Sequence, residues 1–278
     1  MFEKFANSWQ LVKASAAVLK ADKELVLLPA ISGLALVLVS LSFVVPTFMF
    51  GGSFSLENAD LAIYLGLFAF YFVQYAVIFF FNAALVGAAL IRLEGGDPTV
   101  GDGLRIAWNR IGAILGYAAI ASTVGLVLQA VKERSNTLGS IITSLVGVAW
   151  SVMTFLVVPV LVTRDVGPIG AIQESARILK KTWGEQIVGN SGVGLAFTMF
   201  HILWTILMVP CFFFAAGSGI GVAVPIVVVV AVLGYLTLAL LGATLSGIYS
   251  AALYRFAVSG ESTVFDEGRL QHAFAAKS

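Results

Sequence analysis

Charged residues fall along this chain in clusters, separated by long uncharged stretches. Residues 25–56, 61–91, 111–131 and 138–163 carry no charge, and neither does the whole of 187–254. A helix crosses the hydrocarbon core of a bilayer with about 20 apolar residues. The first four runs therefore predict spans over 25–49, 61–91, 111–131 and 138–163. The fifth run is too long for one crossing. It folds back at "AAGSGIGVAVP" (215–225), where Gly and Pro punctuate it, giving spans over 187–214 and 224–254.

The polar clusters between the runs have their own pattern. Ile169, Ile172, Ala176, Leu179 and Trp183 recur at helical spacing. Gln173, Glu174, Arg177, Lys180 and Lys181 take the opposite face, and Pro168 suits the first turn. Ile178 falls off the apolar face. In the N-terminal arm, Phe2, Phe5, Trp9, Val12, Ala16 and Leu19 share a face, flanked by Lys13 and Lys20. In the 92–110 loop, Asp97-Pro98 reads as a cap and first turn. Val100, Leu104, Ala107 and Ile111 follow on one face, with Trp108 at its border and Arg105 off it. These are predicted as three amphipathic helices lying in the membrane interface, tryptophan at headgroup depth and cations toward anionic lipid.

The first and third of these segments match in letters: Ser15-Ala16-Ala17-Val18-Leu19-Lys20 against Ser175-Ala176-Arg177-Ile178-Leu179-Lys180. The chain thus divides into three units, 1–98, 99–167 and 168–260, each an interfacial helix, a span out, a short turn and a span back. All three point the same way, as parallel repeats do. Together they form a single membrane domain, 1–260, followed by a short tail, 261–278. The expected fold class is an all-α integral membrane protein of six transmembrane helices and three interfacial ones.

Composition agrees. Of 278 residues, 59% are hydrophobic and 11% charged, with mean hydropathy +0.98. Soluble domains carry roughly 25% charged residues. The net charge of +1 argues against nucleic acid as a partner. The single cysteine, Cys211, excludes an intrachain disulfide. The first residues lack the short apolar core and cleavage site of a signal peptide, so the first span is expected to serve as the insertion signal. Fourteen of the 16 Lys and Arg residues fall on the side of the chain ends and of the 92–110 and 164–186 loops. Lys132 and Arg134 are alone on the other, beside Glu57, Asp60 and Glu133. Positive residues stay cytoplasmic, which predicts a prokaryotic inner-membrane protein with both ends inside.

Chemistry is sparse. Lipid gives apolar helices no drive to associate, so small residues mark close approach. Ala239, Ala243, Gly247 and Ala251 do so in the sixth span, Ala84 and Ala88 in the second, and Gly112 and Gly116 in the third. Such stripes build either the bundle or a contact between copies. Pro159 and Pro210 are the expected kinks. His201 is the one intramembrane histidine, a candidate for a proton or transport role or simply a hydrogen-bonded structural residue. Gln74, Asn82, Gln129 and Asn190 are further polar groups in spans, explicable by interhelical hydrogen bonds. His201 and Cys211 are too few for a metal site. No GxSxG, HExxH or P-loop occurs, and "GGDPTVGDG" (95–103) carries two aspartates that repel phosphate. No catalytic residue, metal or cofactor is expected.

"SWQLVKASAAVLKADKELVLLPAISG" (8–33), "VVPVLVTRDVGPIGAIQESARILKKTWGEQ" (157–186) and "LSGIYSAALYRFAVSG" (245–260) resemble uncharacterised prokaryotic six-span membrane proteins. The middle piece is similar to the membrane domain found with some glycerophosphodiester phosphodiesterases. It also resembles small enterobacterial inner-membrane proteins with a D-x-G-x-x-x-A-x-x-x-S-x-x-x-x-x-x-x-W signature, here Asp165, Gly167, Ala171, Ser175 and Trp183. The resemblance implies packing motifs and brings no catalytic residue, cofactor or substrate. Two functions remain open: a non-enzymatic scaffold that binds anionic lipid or a partner membrane protein, and an oligomeric pore or facilitator. Hydroxyls at Ser122, Thr123, Ser144, Thr154, Thr198, Thr205, Thr237, Thr244 and Ser246 would line the latter.

Overall fold

The computed structural model describes residues 2–49, 61–135, 137–183 and 192–259. Among these residues every element is helical. They are α1 (Phe2–Ala21), a 3-10 turn (Lys23–Val26), α2 (Leu27–Met49), α3 (Leu61–Leu93), α4 (Val100–Asn109) and α5 (Ile111–Arg134), then α6 (Thr137–Met153), α7 (Val157–Thr163), α8 (Pro168–Trp183), α9 (Gly192–Gly217) and α10 (Ala223–Ser259). Six segments are long and apolar enough to cross a membrane: α2 with its leading turn, α3, α5, α6 continued by α7, α9 and α10. Helix is the form these runs must take where no water can serve the backbone, because it satisfies every interior N–H and C=O locally.

The fourth predicted span is broken rather than kinked. α6 ends at Met153 and α7 begins at Val157, two residues before Pro159. Pro159 has no N–H for the carbonyl of Phe155, and its ring crowds that carbonyl, so the helix is interrupted just upstream. α9, by contrast, runs uninterrupted through Pro210.

The spans pair as antiparallel hairpins, α2 with α3, α5 with α6 and α9 with α10, and α3 touches α2, α5, α7 and α10. Small residues permit the close approaches. A Cβ on Gly247 of α10 would stand 2.5 Å from Leu85 of α3, and one on Gly234 would stand 2.2 Å from the Trp204 ring of α9. Only part of the predicted small-residue stripe packs: Gly247 and Ala251 are buried, whereas Ala239 and Ala243 are exposed.

The short helices cross between units. α1 lies on α9 and α10, α4 on α3, and α8 on α5, α6 and α7. Each therefore covers spans that belong to a different third of the chain. Burial is concentrated at the end where they lie. Ala83–Ala89 with Leu90 and Leu93 of α3, Leu156–Leu161, and Leu245–Phe256 of α10 form one cluster with Leu28, Ile114, Ile178 and Leu179. These are the start of α2 and α5 and the finish of α3, α7 and α10, as alternating crossings require. Beyond that level large apolar side chains are exposed on α2, α6, α9 and α10, among them Leu34, Leu145, Ile206 and Leu236.

Candidate interfacial site

α4 begins two residues later than Asp97-Pro98 suggested. Thr99 is the N-cap, in extended conformation, and its hydroxyl accepts the Asp102 N–H at 3.1 Å. The Asp102 carboxylate accepts the Thr99 N–H at 3.1 Å, completing a capping box. The Thr99 hydroxyl also donates to that carboxylate at 2.7 Å, and this bond, followed by the one from the Thr99 N–H, holds the Asp102 carboxyl below its ordinary range. Asp97 instead pairs with Arg92, which also donates to the carbonyls of Gly96 and Ala21. Gly103 and Ala107 press α4 against α3, Val100 and Leu104 are half-buried, and Arg105 and Trp108 point outward, Trp108 being 67% exposed.

α8 is rotated from its expected setting. Ala171, Ser175, Ile178 and Leu179 are buried, so Ile178, the residue off the predicted apolar face, lies in the core. Ile169, placed on that face, is 63% exposed. At 100° per residue three sectors emerge. One around Ser175 meets protein, one through Ile169, Ile172 and Ala176 is apolar and only partly covered, and one carries Gln173, Arg177, Lys180 and Lys181. Hydropathy alone merged the first two. In α1 the same registers are buried, Ser15 and Val18 matching Ser175 and Ile178, while Lys13 and Lys20 are exposed like Lys180. The side chains of Trp9 and Trp183, and Asn190 as a whole, lie outside the described residues.

Ser175 is a residue that the periodicity assigned to neither face. Its hydroxyl accepts the N–H of Leu156 at 3.1 Å, a donor orphaned by the break in the fourth span. Ser250 of α10 donates to the freed Phe155 carbonyl at 3.4 Å. Each return span also ends near an arginine, Arg92, Arg164 and Arg255, a recurrence visible in the sequence once the spans are aligned by their ends. Arg164 donates to the Tyr254 hydroxyl at 3.2 Å and pairs with Glu174 of α8, and Arg255 donates to the carbonyl of Leu93. Glu174 also receives Arg177. The two guanidinium partners, Arg177 foremost, hold the Glu174 carboxyl below its ordinary range, and the Tyr254 hydroxyl leads in raising Arg164. Arg110 pairs with Asp165.

The polar residues predicted inside the spans do not converge. Gln74 donates to Ser40 at 2.8 Å across the α2–α3 pair. Asn82 faces Gly247 on the α3–α10 contact. His201 bonds through Nδ1 to the carbonyl of Phe197 at 2.7 Å and stacks on Tyr235, which meets Thr205 at 2.6 Å. Gln129 accepts from Tyr71 and donates to Glu133. Most of the hydroxyls that would line a path, such as Thr123, Ser144, Thr237 and Thr244, donate to carbonyls of their own helices. Among the described residues no three His, Cys, Asp or Glu side chains form a group fit for a metal ion.

No curated protein matches the chain. A family of unknown function, DUF6159, matches residues 61–264, from the start of α3 to beyond the end of α10. Nothing in that match links the chain to the membrane domains found with glycerophosphodiester phosphodiesterases, so that part of the resemblance is not supported. The match covers most of the chain, which therefore belongs to this family.

Proposed function

We propose that the chain is a non-enzymatic membrane module that binds anionic lipid headgroups at its basic end, where α1, α4 and α8 lie in the interface. The observation that carries this is the division of burial along the long helices, clearest in α2 and α10. Packing apolar side chains together is favoured strongly only against water. The cluster of Leu28, Leu85, Ile114, Leu156, Ile248 and Leu253 therefore belongs at the water-facing end. Past it, about twenty residues each of α2, α9 and α10 keep apolar surface uncovered, roughly 30 Å of helix at 1.5 Å per residue, the thickness of a hydrocarbon core.

At the packed end the exposed cations include Lys13, Lys20, Arg105, Arg177, Lys180 and Lys181, and Trp108 is exposed on the helix of Arg105. Each basic residue near an anionic surface contributes about 1 kcal/mol. The excess of Lys and Arg favours the cytoplasmic face of a prokaryotic inner membrane for this end, with both chain ends there. A partner membrane protein or a second copy of the chain would meet the uncovered apolar halves. The oligomeric pore has less support, since most of its hydroxyls donate within their own helices.

Native mass spectrometry of the protein released from nanodiscs tests this reading. A subunit retaining anionic lipid, and losing it when Lys180 and Lys181 are both changed to Glu, is the expected result. Unchanged retention in that double variant refutes it, and a closed ring of subunits that passes solute in vesicles would favour the pore.

A further inference from the structure

The break in the fourth span is closed by side chains from two other elements. In an unbroken helix the Leu156 N–H would bond the carbonyl of Val152. Here that carbonyl accepts the Phe155 N–H at 3.2 Å, and Leu156 turns to Ser175 of α8. Ser175 and Leu156 are both fully buried, so no water can substitute. Ser15, at the matching place in α1, is equally buried, yet its hydroxyl has no partner. Its helix lies on α9 and α10, which are unbroken and spend their N–H groups internally. The serine at this register has a hydrogen-bonding task only where a span is broken.

A second connection joins the same two elements. Arg177, on the outward sector of α8 and 72% exposed, pairs with Glu174. Glu174 pairs with Arg164, directly after α7, and Arg164 donates to Tyr254, whose hydroxyl lies 2.7 Å from Thr163. A chain of ionic and polar contacts thus runs from an exposed cation of α8 to the lower half of the fourth span and to α10.

We infer that α8 is a lipid-responsive latch on the fourth span: the Ser175 hydroxyl closes the break at Leu156, and an anionic phosphate headgroup that draws Arg177 off Glu174 loosens that closure. This rests on the lipid-binding reading above. Phosphate competes well for an exposed guanidinium because it accepts the same paired N–H donors as a carboxylate. Losing Arg177 leaves Glu174 with one cation instead of two, and α8, drawn toward the headgroups, turns about its buried sector. The bend of the fourth span then follows the lipid bound at the surface.

Hydrogen exchange of the peptide containing Leu156 tests the latch. It is measured on the full chain in nanodiscs of phosphatidylcholine, of phosphatidylcholine with phosphatidylglycerol, and of phosphatidylcholine with inorganic phosphate added. Wild type should exchange faster in the anionic discs. Arg177→Gln should remove that difference, and Glu174→Gln, which leaves Ser175 in place, should remove it too. Ser175→Ala should raise exchange roughly tenfold or more in all three, since the orphaned N–H loses its buried acceptor. Ser15→Ala should match wild type. The latch is overturned if Ser175→Ala exchanges like wild type, or if wild type ignores the lipid. A response to inorganic phosphate alone overturns the membrane as the source of the anion. Lipid retention read on the same samples separates the two readings. Retained lipid with an unresponsive amide sinks the latch alone, and absent lipid sinks the binding reading.

Discussion

Replacing Gly103 by Ala tests how closely α4 is pressed onto α3. A Cβ there would stand 2.6 Å from the carbonyl oxygen of Ala84 and 3.2 Å from its carbon, and the neighbour is backbone. It cannot rotate away, so α4 has to retreat. Overpacking of this kind costs about 1–3 kcal/mol. Removing a glycine from a helix gains about 0.5–1 kcal/mol, leaving a net loss of about 0–2 kcal/mol. Gly101 lies on the same helix two residues earlier. Its added Cβ would meet only the Thr99 hydroxyl at 3.6 Å, an ordinary contact, and the residue is exposed. Gly101→Ala should therefore stabilise, and the two variants should differ by about 1–3 kcal/mol. Equilibrium unfolding in mixed micelles, followed by far-UV circular dichroism, measures that difference. Equal midpoints for the two variants would refute the close seating of α4 against Ala84 and Ala88.

Three further outcomes follow from the polar contacts. Thr99→Ala removes half of the capping box and should cost about 0.5–2 kcal/mol in the same unfolding assay. Glu174 has a depressed pKa, so its contribution is complete above the ordinary glutamate range and is lost as pH falls through the folded value. Glu174→Gln should flatten the acid limb of a Tm-against-pH curve, and an unchanged limb would place the acid sensitivity elsewhere. Asp22 has the opposite sign. Burial raises its carboxyl although Arg92 pulls it down, and its Oδ2 has no hydrogen-bond partner. Its stabilising contribution is present below the ordinary aspartate range and lost as pH rises through the folded value. At neutral pH Asp22→Asn should therefore raise Tm, and a lowered Tm would show that Arg92 dominates.

The six helices of spanning length were legible because an uncharged run of twenty or more residues has few alternatives, and their observed bounds differ little from the uncharged runs at α2, α3 and α5. α8 was legible from periodicity as well. Its rotation was not, nor was the break before Pro159, since a proline permits a kink or an interruption and the choice depends on what can satisfy the freed groups. Ser175 and Ser250 supply that answer from residues 19 and 95 positions away. The polar candidates His201, Gln74 and Asn82 do not come together: Gln74 meets Ser40 of α2, Asn82 faces Gly247 of α10, and His201 bonds within α9 and stacks on Tyr235 of α10.

The sequence by itself determined that this chain forms long apolar helices, that six of those among the described residues are long enough to cross a membrane, and that the cations gather in the segments between them. These depend on solvation of the backbone and of charge, which act residue by residue. Only the tertiary structure decided that α1, α4 and α8 each cover spans of another unit, which face of α8 meets protein, and that Ser175 closes the fourth span. The reason is physical. Lipid tails and a protein interior are almost equally apolar, so the hydropathy of Ile169 and Ile178 is the same in either. What separates them is shape and the hydrogen bond within reach, and both arise only when distant segments meet.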